Sequence, residues 1–158
     1  MIDRRELILK RVVTLLEDTE GVETVARNRG LLDNDKLPAV ILLDGDESAD
    51  KIGRVSRGGM APTINRMRPE IYILLKDARP PVKNDGAQGT ALNNFRMLVC
   101  EAIANDAELN TLLGSNGSQQ YLGCTTDLKS GGSLSGQMRI DIALSYAFDP
   151  TLSPGQVS

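Results

Sequence analysis

The clearest pattern along the chain is a strict alternation near its end. Met138, Ile140, Ile142, Leu144, Tyr146 and Phe148 alternate with Arg139, Asp141, Ala143, Ser145 and Ala147, a period of two that predicts a long strand with one buried face. Asp149-Pro150 closes it. Near the start the period is helical. Ile8, Leu9, Val12, Val13, Leu15 and Leu16 share one arc of a helical wheel, and Lys10, Arg11, Thr14, Glu17 and Asp18 share the other, so residues 3–19 are predicted to form a helix with one buried face. Asp3 with Glu6 three positions on resembles a capping box, and Gly21 stands where a glycine would stop the helix. A second one-sided wheel begins at Leu92, with Phe95, Leu98, Val99, Ala102 and Ile103 together and Asn93, Asn94, Met97 and Glu101 opposite. Arg96 sits inside that apolar arc, which suits a snorkelling stem or a helix edge at a subunit contact.

The remaining strands are shorter. Residues 22–28 have β-branched content and stop at Gly30. Ala39-Val40-Ile41-Leu42-Leu43 is an uninterrupted apolar run, which suits a central strand covered on both faces. Asp44-Gly45-Asp46 closes it with turn chemistry. Residues 70–75 and 119–125 read as further strands, Gly114-Ser115-Asn116-Gly117 as a turn, and 129–133 as a flexible connection.

Residues 45–68 differ in kind. Between Lys51 and Arg68 there are five basic residues (Lys51, Arg54, Arg57, Arg66 and Arg68), no acidic one, and no core-forming period. A connection of this length without structure of its own is usually functional or disordered. The order helix, strand, strand, basic loop, strand, helix, strand, strand does not alternate as a βαβ series would. It predicts an α+β single domain over residues 1–149, with one mixed or antiparallel sheet, two main helices on one face, a long basic loop at 45–68 and a flexible tail at 150–158.

Composition narrows the chemistry mostly by exclusion. The 158 residues carry a net charge of −3 and are 41% hydrophobic and 25% charged, an ordinary globular balance. Histidine is absent, which removes Ser-His and Cys-His pairs, histidine metal sites and histidine pH switches. Five aromatics (Tyr72, Phe95, Tyr121, Tyr146, Phe148) are too few for a base-stacking platform. Cys100 and Cys124 make neither a disulfide framework nor a zinc site, and are expected to be free, partly buried thiols. The N-terminus is charged where a signal peptide is apolar, and no apolar run approaches the ~20 residues that span a bilayer. A soluble chain made in the cytoplasm, with no membrane partner, is expected.

Asp44-Gly45-Asp46-Glu47 after an apolar strand is the arrangement closest to enzymology. Two aspartates so spaced at a strand end are how haloacid-dehalogenase-like phosphatases set a nucleophile and an acid beside magnesium, and such a cluster also holds a divalent ion without catalysis. The later lysine and paired-acid motif of those enzymes are missing, and a solvated turn accounts for the acids better. No P-loop, dinucleotide turn or nucleophile elbow is present. No catalytic, cofactor-binding or metal-binding residue is therefore assigned. The basic residues suit phosphates, in salt-sensitive and sequence-blind contact, or an acidic patch on a protein partner. A solvated loop touching nothing accounts for them as well. The acidic net charge and scarce aromatics favour protein over nucleic acid. Lys51, Arg54, Arg57, Arg66, Arg68 and Arg96 are the candidate interface residues.

Arg27-Asn28-Arg29, then 37–47 (LPAVILLDGDE), the basic loop, Met67-Arg68-Pro69-Glu70-Ile71-Tyr72, Asn116-Gly117, 121–127 (YLGCTTD) and the closing strand to Pro150 occur in an order that resembles the tail terminator (tail completion) family of long-tailed bacteriophages. The similarity spans nearly the whole chain and rests on structural patterns, with no reactive fingerprint. It implies a non-enzymatic virion protein without cofactor that closes as a ring, typically a hexamer, on the head-proximal end of the tail tube. Such a ring stops tube polymerisation and presents a surface to the head connector. The implied partners are copies of the chain, the major tail tube protein and a connector or neck protein, with non-specific contact to DNA in the lumen open. The implied location is the neck of the virion tail, after assembly in the bacterial host's cytoplasm. A neighbouring neck or head-tail joining protein, and a metal-dependent phosphohydrolase using Asp44 and Asp46, are the alternatives.

Overall fold

The computed structural model describes residues 3–52, 60–76, 87–129 and 135–150. Its elements in chain order are α1 (Arg4–Glu17), β1 (Thr24–Arg27), β2 (Ala39–Ile52), β3 (Thr63–Leu74), α2 (Ala87–Ala104), α3 (Ala107–Leu113), β4 (Ser118–Lys129) and β5 (Ser135–Phe148). The strands form one sheet in the order β1-β2-β3-β5-β4, with β1 parallel to β2 and every other pair antiparallel. The three helices pack together on one face, giving the α+β single domain expected from the sequence.

Alternation decides which face of each strand is buried. Val40 and Leu42 of β2, Met67, Ile71 and Ile73 of β3, and Met138, Ile140, Ile142, Leu144 and Tyr146 of β5 point into one core. They meet Ile8, Leu9, Val12, Leu15 and Leu16 of α1, Leu92, Val99 and Ile103 of α2, and Leu109 and Leu113 of α3. Each large aliphatic side chain so buried contributes roughly 1.5–3 kcal/mol of hydrophobic free energy. In α1, Asp3 accepts from the Arg5 N–H at 3.3 Å as the N-cap. Glu6 does not complete the capping box: its carboxylate turns to Arg27 of β1. Leu98, expected in the apolar arc of α2, is exposed. The arc facing the sheet instead runs through Leu92, Arg96, Val99 and Ile103, of which Leu92, Val99 and Ile103 are buried and Arg96 is half-buried.

The stretch 45–68 is not a loop throughout. β2 continues to Ile52 and β3 begins at Thr63, so residues 45–52 and 63–68 are paired strand. Two register shifts, between Leu43 and Asp46 and between Ala49 and Lys51, break the period that would have revealed them. The strand expected from residue 70 is therefore seven residues longer at its start. The strand expected at 119–125 also grows, to Ser118–Lys129. Residues 53–59 of the loop and 151–158 of the expected tail lie outside the described residues. Short α3 was not expected. It is fixed by Asp106, whose carboxylate accepts from the Leu109 N–H at 2.7 Å and receives both ends of the Arg11 fork, at 2.9 and 2.7 Å.

Pro69 lies inside β3, which has a partner strand on both sides. It has no N–H to give a ladder, and the sheet skips it on both flanks. Pairing with β2 steps from Glu70↔Leu43 to Arg68↔Asp46, and pairing with β5 steps from Glu70↔Asp141 to Met67↔Leu144. On the β2 side the slack is taken up at Gly45, whose φ is +68° and whose missing Cβ would fall 1.9 Å from the Arg68 carbonyl oxygen. Gly45→Ala is expected to destabilise the fold by about 2–4 kcal/mol, from left-handed backbone strain plus that collision. The urea midpoint measures it; an unchanged midpoint would show that the strands can separate here without loss.

Candidate protein interface

On the face opposite the helices, β2, β3 and β5 place their other set of side chains. Arg66, Arg68, Glu70 and Tyr72 of β3 stand beside Ser145, Asp141 and Arg139 of β5, with Gln120 and Thr125 of β4 at one flank. Among the described residues no helix covers this surface. Arg66 Nη2 donates to Gln120 Oε1 at 2.7 Å, reaching across β5. Tyr72 Oη donates to Glu70 Oε2 at 3.1 Å, and Arg139 Nε lies 3.2 Å from Asp141 Oδ1. Hydrogen bonding to Tyr72, with Asp141 nearby, raises the Arg139 pKa further and keeps it charged. Arg68 is exposed. Where the ladders skip Pro69, a groove of about 600 Å³ opens, flanked by Asp46, Arg68, Glu70, Leu122, Arg139 and Asp141.

The structure brings together only part of the expected set. Arg66 and Arg68 share the face that no described helix covers, and position 51 pairs with Ile64 in the β2–β3 ladder. Arg54 and Arg57 lie outside the described residues. Arg96 is elsewhere, on the helix side, donating to Tyr121 Oη at 3.2 Å with its guanidinium 6.0 Å from the ring centroid. It ties α2 to β4, so its place in an apolar arc has an internal cause. A cleft of about 170 Å³ beside it is lined by Cys100, Ile103, Tyr121, Ile142 and Leu144, among others. Sequence reasoning missed Arg139 as a member of the charged face. Its signal was present, since it falls on the polar half of the alternating strand.

Asp44 does not form the start of a catalytic pair. Arg27 grips it with Nε–Oδ1 at 2.7 Å and Nη2–Oδ2 at 2.8 Å, while Nη1 and Nη2 of the same guanidinium donate to both Glu6 oxygens at 2.9 Å. Asn28 Oδ1 accepts from the Asp44 N–H at 3.0 Å. Both carboxylate oxygens are thus committed to arginine, leaving poor donors for a cation. Asp46, exposed, points to the other side of the sheet by its register with Arg68. Among the described residues no group of three or more His, Cys, Asp or Glu is placed to hold a metal ion. Burial pushes the Cys100 thiol pKa up, away from a nucleophilic thiolate. Cys124 is exposed rather than partly buried, because it lies on the sheet's edge strand. No described helix is long and apolar enough to cross a membrane.

The Arg27 cluster has a pH signature. Hydrogen bonds from Arg27 lower the pKa of both Asp44 and Glu6, against partial desolvation. Carboxylates lowered in the folded state contribute stability that is complete above their unfolded values near 4 and is lost as pH falls through the lower folded values. Arg27→Met is expected to cost about 2 kcal/mol at neutral pH and to flatten the loss of stability between neutral and acid pH. Denaturant midpoints at neutral and acid pH test this; an acid limb as steep as that of the parent chain would contradict it.

No protein-family model and no curated protein matches the chain. Among solved structures it is similar to the sheath/tube terminator of the extracellular contractile injection system PVC, in the extended state. The TM-score is 0.41 and the identity 11%, over 96% of this chain and 62% of that one, so the chain spans less than two thirds of that protein.

Proposed function

We propose that the chain is a structural terminator subunit. It closes with copies of itself, as a hexameric ring, on the head-proximal end of a phage tail tube, halts the addition of tube subunits and offers the joining surface to the head connector. The observation that carries this reading is the two-sided sheet. One face is sealed by three helices, and the other presents Arg66, Arg68 and Arg139 among Glu70, Asp141 and Tyr72 with no described helix over it. Mixed charge held on rigid strands suits recognition of a protein surface, where arginine is enriched and charge sets register more than affinity. The ordered sequence resemblance along nearly the whole chain supports tube protein and head connector as the partners. The commitment of Asp44 to Arg27 favours this over hydrolysis of phosphate esters.

Arg66→Glu combined with Arg68→Glu leaves the core untouched, since both side chains leave the sheet away from it. The double variant is expected to fold with an unchanged circular-dichroism spectrum and to lose tube capping, seen as overlong tubes when it is mixed with polymerising tube subunits. Tubes of normal length with this variant would remove the charged face from the mechanism.

A further inference from the structure

A sheet edge is a row of backbone donors and acceptors that chains usually blunt with short strands, prolines, charges or cover. Here two long stretches of edge stand open among the described residues. β4 is the last strand of the sheet over all of Ser118–Lys129. At the other end, β1 covers only Ala39 to Leu42 of β2. Asn28 reaches Leu42 and Asp44, Arg5 Nη2 takes the Gly45 carbonyl oxygen at 3.1 Å, and residues 46–52 run on with β3 as their one described strand partner.

The two edges carry opposite character. Residues 46–52 (DESADKI) hold Asp46, Glu47 and Asp50, of which Asp46 and Asp50 are exposed. β4 has no proline and no acid before Asp127. Arginines border it on both faces: Arg66 bonded to Gln120 and Arg139 paired opposite Thr125 on one, Arg96 bonded to Tyr121 on the other. Tyr121 and Leu122, 46% and 41% exposed, add apolar surface at the same edge.

We infer that β4 of one copy pairs with residues 46–52 of β2 in the next, so that the sheet runs on from subunit to subunit. Direction is set by the fold. β2 and β5 run one way and β3 and β4 the other. Rotation about an axis along the strands keeps those directions, so the new pair is antiparallel. One edge is donated and a different one received, as ring closure by a heterologous contact demands. This inference rests on the ring reading above and names its subunit interface.

Two measurements on the full chain test it. Light scattering across a concentration series gives the mass, and hydrogen exchange at the low and high ends reports the β4 amides. An oligomer in which peptides within 118–129 gain protection supports the pairing. An oligomer in which they exchange as in the monomer overturns it and leaves the ring reading standing. A monomer at every concentration, alone and with tube subunits, overturns both. Asp46→Lys with Asp50→Lys is expected to weaken association by about tenfold or more, and addition of Gln120→Asp and Thr125→Asp to the same chain to restore it. Undiminished association of the first variant would also overturn the pairing.

Discussion

A proline in the middle of an interior strand is the constraint around which this sheet is built. Pro69 withdraws a donor from β3, and neither neighbour closes its ladder there. The fault crosses the sheet: Gly45 bulges on β2, Pro69 interrupts β3, and β4 shifts register between Tyr121 and Gly123, opposite Asp141 and Ile142 of β5. Aligned bulges let the strands continue past the fault with their faces preserved. Met67 therefore returns to the core beside Leu144, and Arg66 and Arg68 stay outside. The β3–β5 register is the same on both sides of Pro69, so the alternation of β3 carries through it, while β2 and β4 each take in an extra residue at the level of the fault.

Arginine does different work on the two faces. On the helix side Arg11 and Arg27 are spent on carboxylates that tie elements together, while Arg96 ties α2 to β4 through the Tyr121 hydroxyl. Arg27 joins α1, β1 and β2 through Glu6 and Asp44, and Arg11 joins α1 to α3 through Asp106, with Glu108 at 2.9 Å. Glu47 gathers Tyr146 Oη at 3.0 Å, Asn65 Nδ2 at 2.8 Å and Arg5 Nε at 3.3 Å, so the far end of β2 is held to β3, β5 and α1 by one carboxylate. The planar fork of arginine suits this role, and lysine would lose the paired hydrogen bonds. On the open side the arginines make weaker, more exposed links and leave Arg68 to solvent. Surface pairs of that kind contribute little to stability, so their arrangement has more bearing on what the face meets than on how the chain folds.

Period explains what the sequence revealed. α1 and β5 were legible because one uninterrupted apolar stripe runs along each, and the run at 39–43 because Ala39, Val40, Ile41 and Leu42 are all buried, whichever face of the strand they occupy. Residues 45–52 and 63–68 were not, since bulges break the alternation and the outward positions are charged rather than apolar. α3 offers two buried leucines, Leu109 and Leu113, in a single pair of turns, too little for a wheel to show. The role of Arg27 depends on residues 17 and 21 positions away, a proximity that only the fold creates. Arg139 was legible and overlooked; alternation alone assigns it to the face it occupies.

The charge layout bears on symmetry. Under the proposed pairing, a two-fold dimer through β4 would set Arg66, Arg96 and Arg139 of one copy near the same residues of the other. A two-fold dimer through β2 would oppose Asp46 and Asp50 to themselves. Like charges so juxtaposed cost several kcal/mol at a contact, whereas head-to-tail addition sets the acidic edge against the arginine-bordered one at every junction. In that arrangement, one attractive match and two repulsive mismatches would disfavour closed dimers without any dedicated blocking element. What remains is addition in one direction around the sheet, which ends only when the rotation closes. Under the proposed pairing, a chain with a net charge of −3 would do this through where its charges lie rather than how many it has.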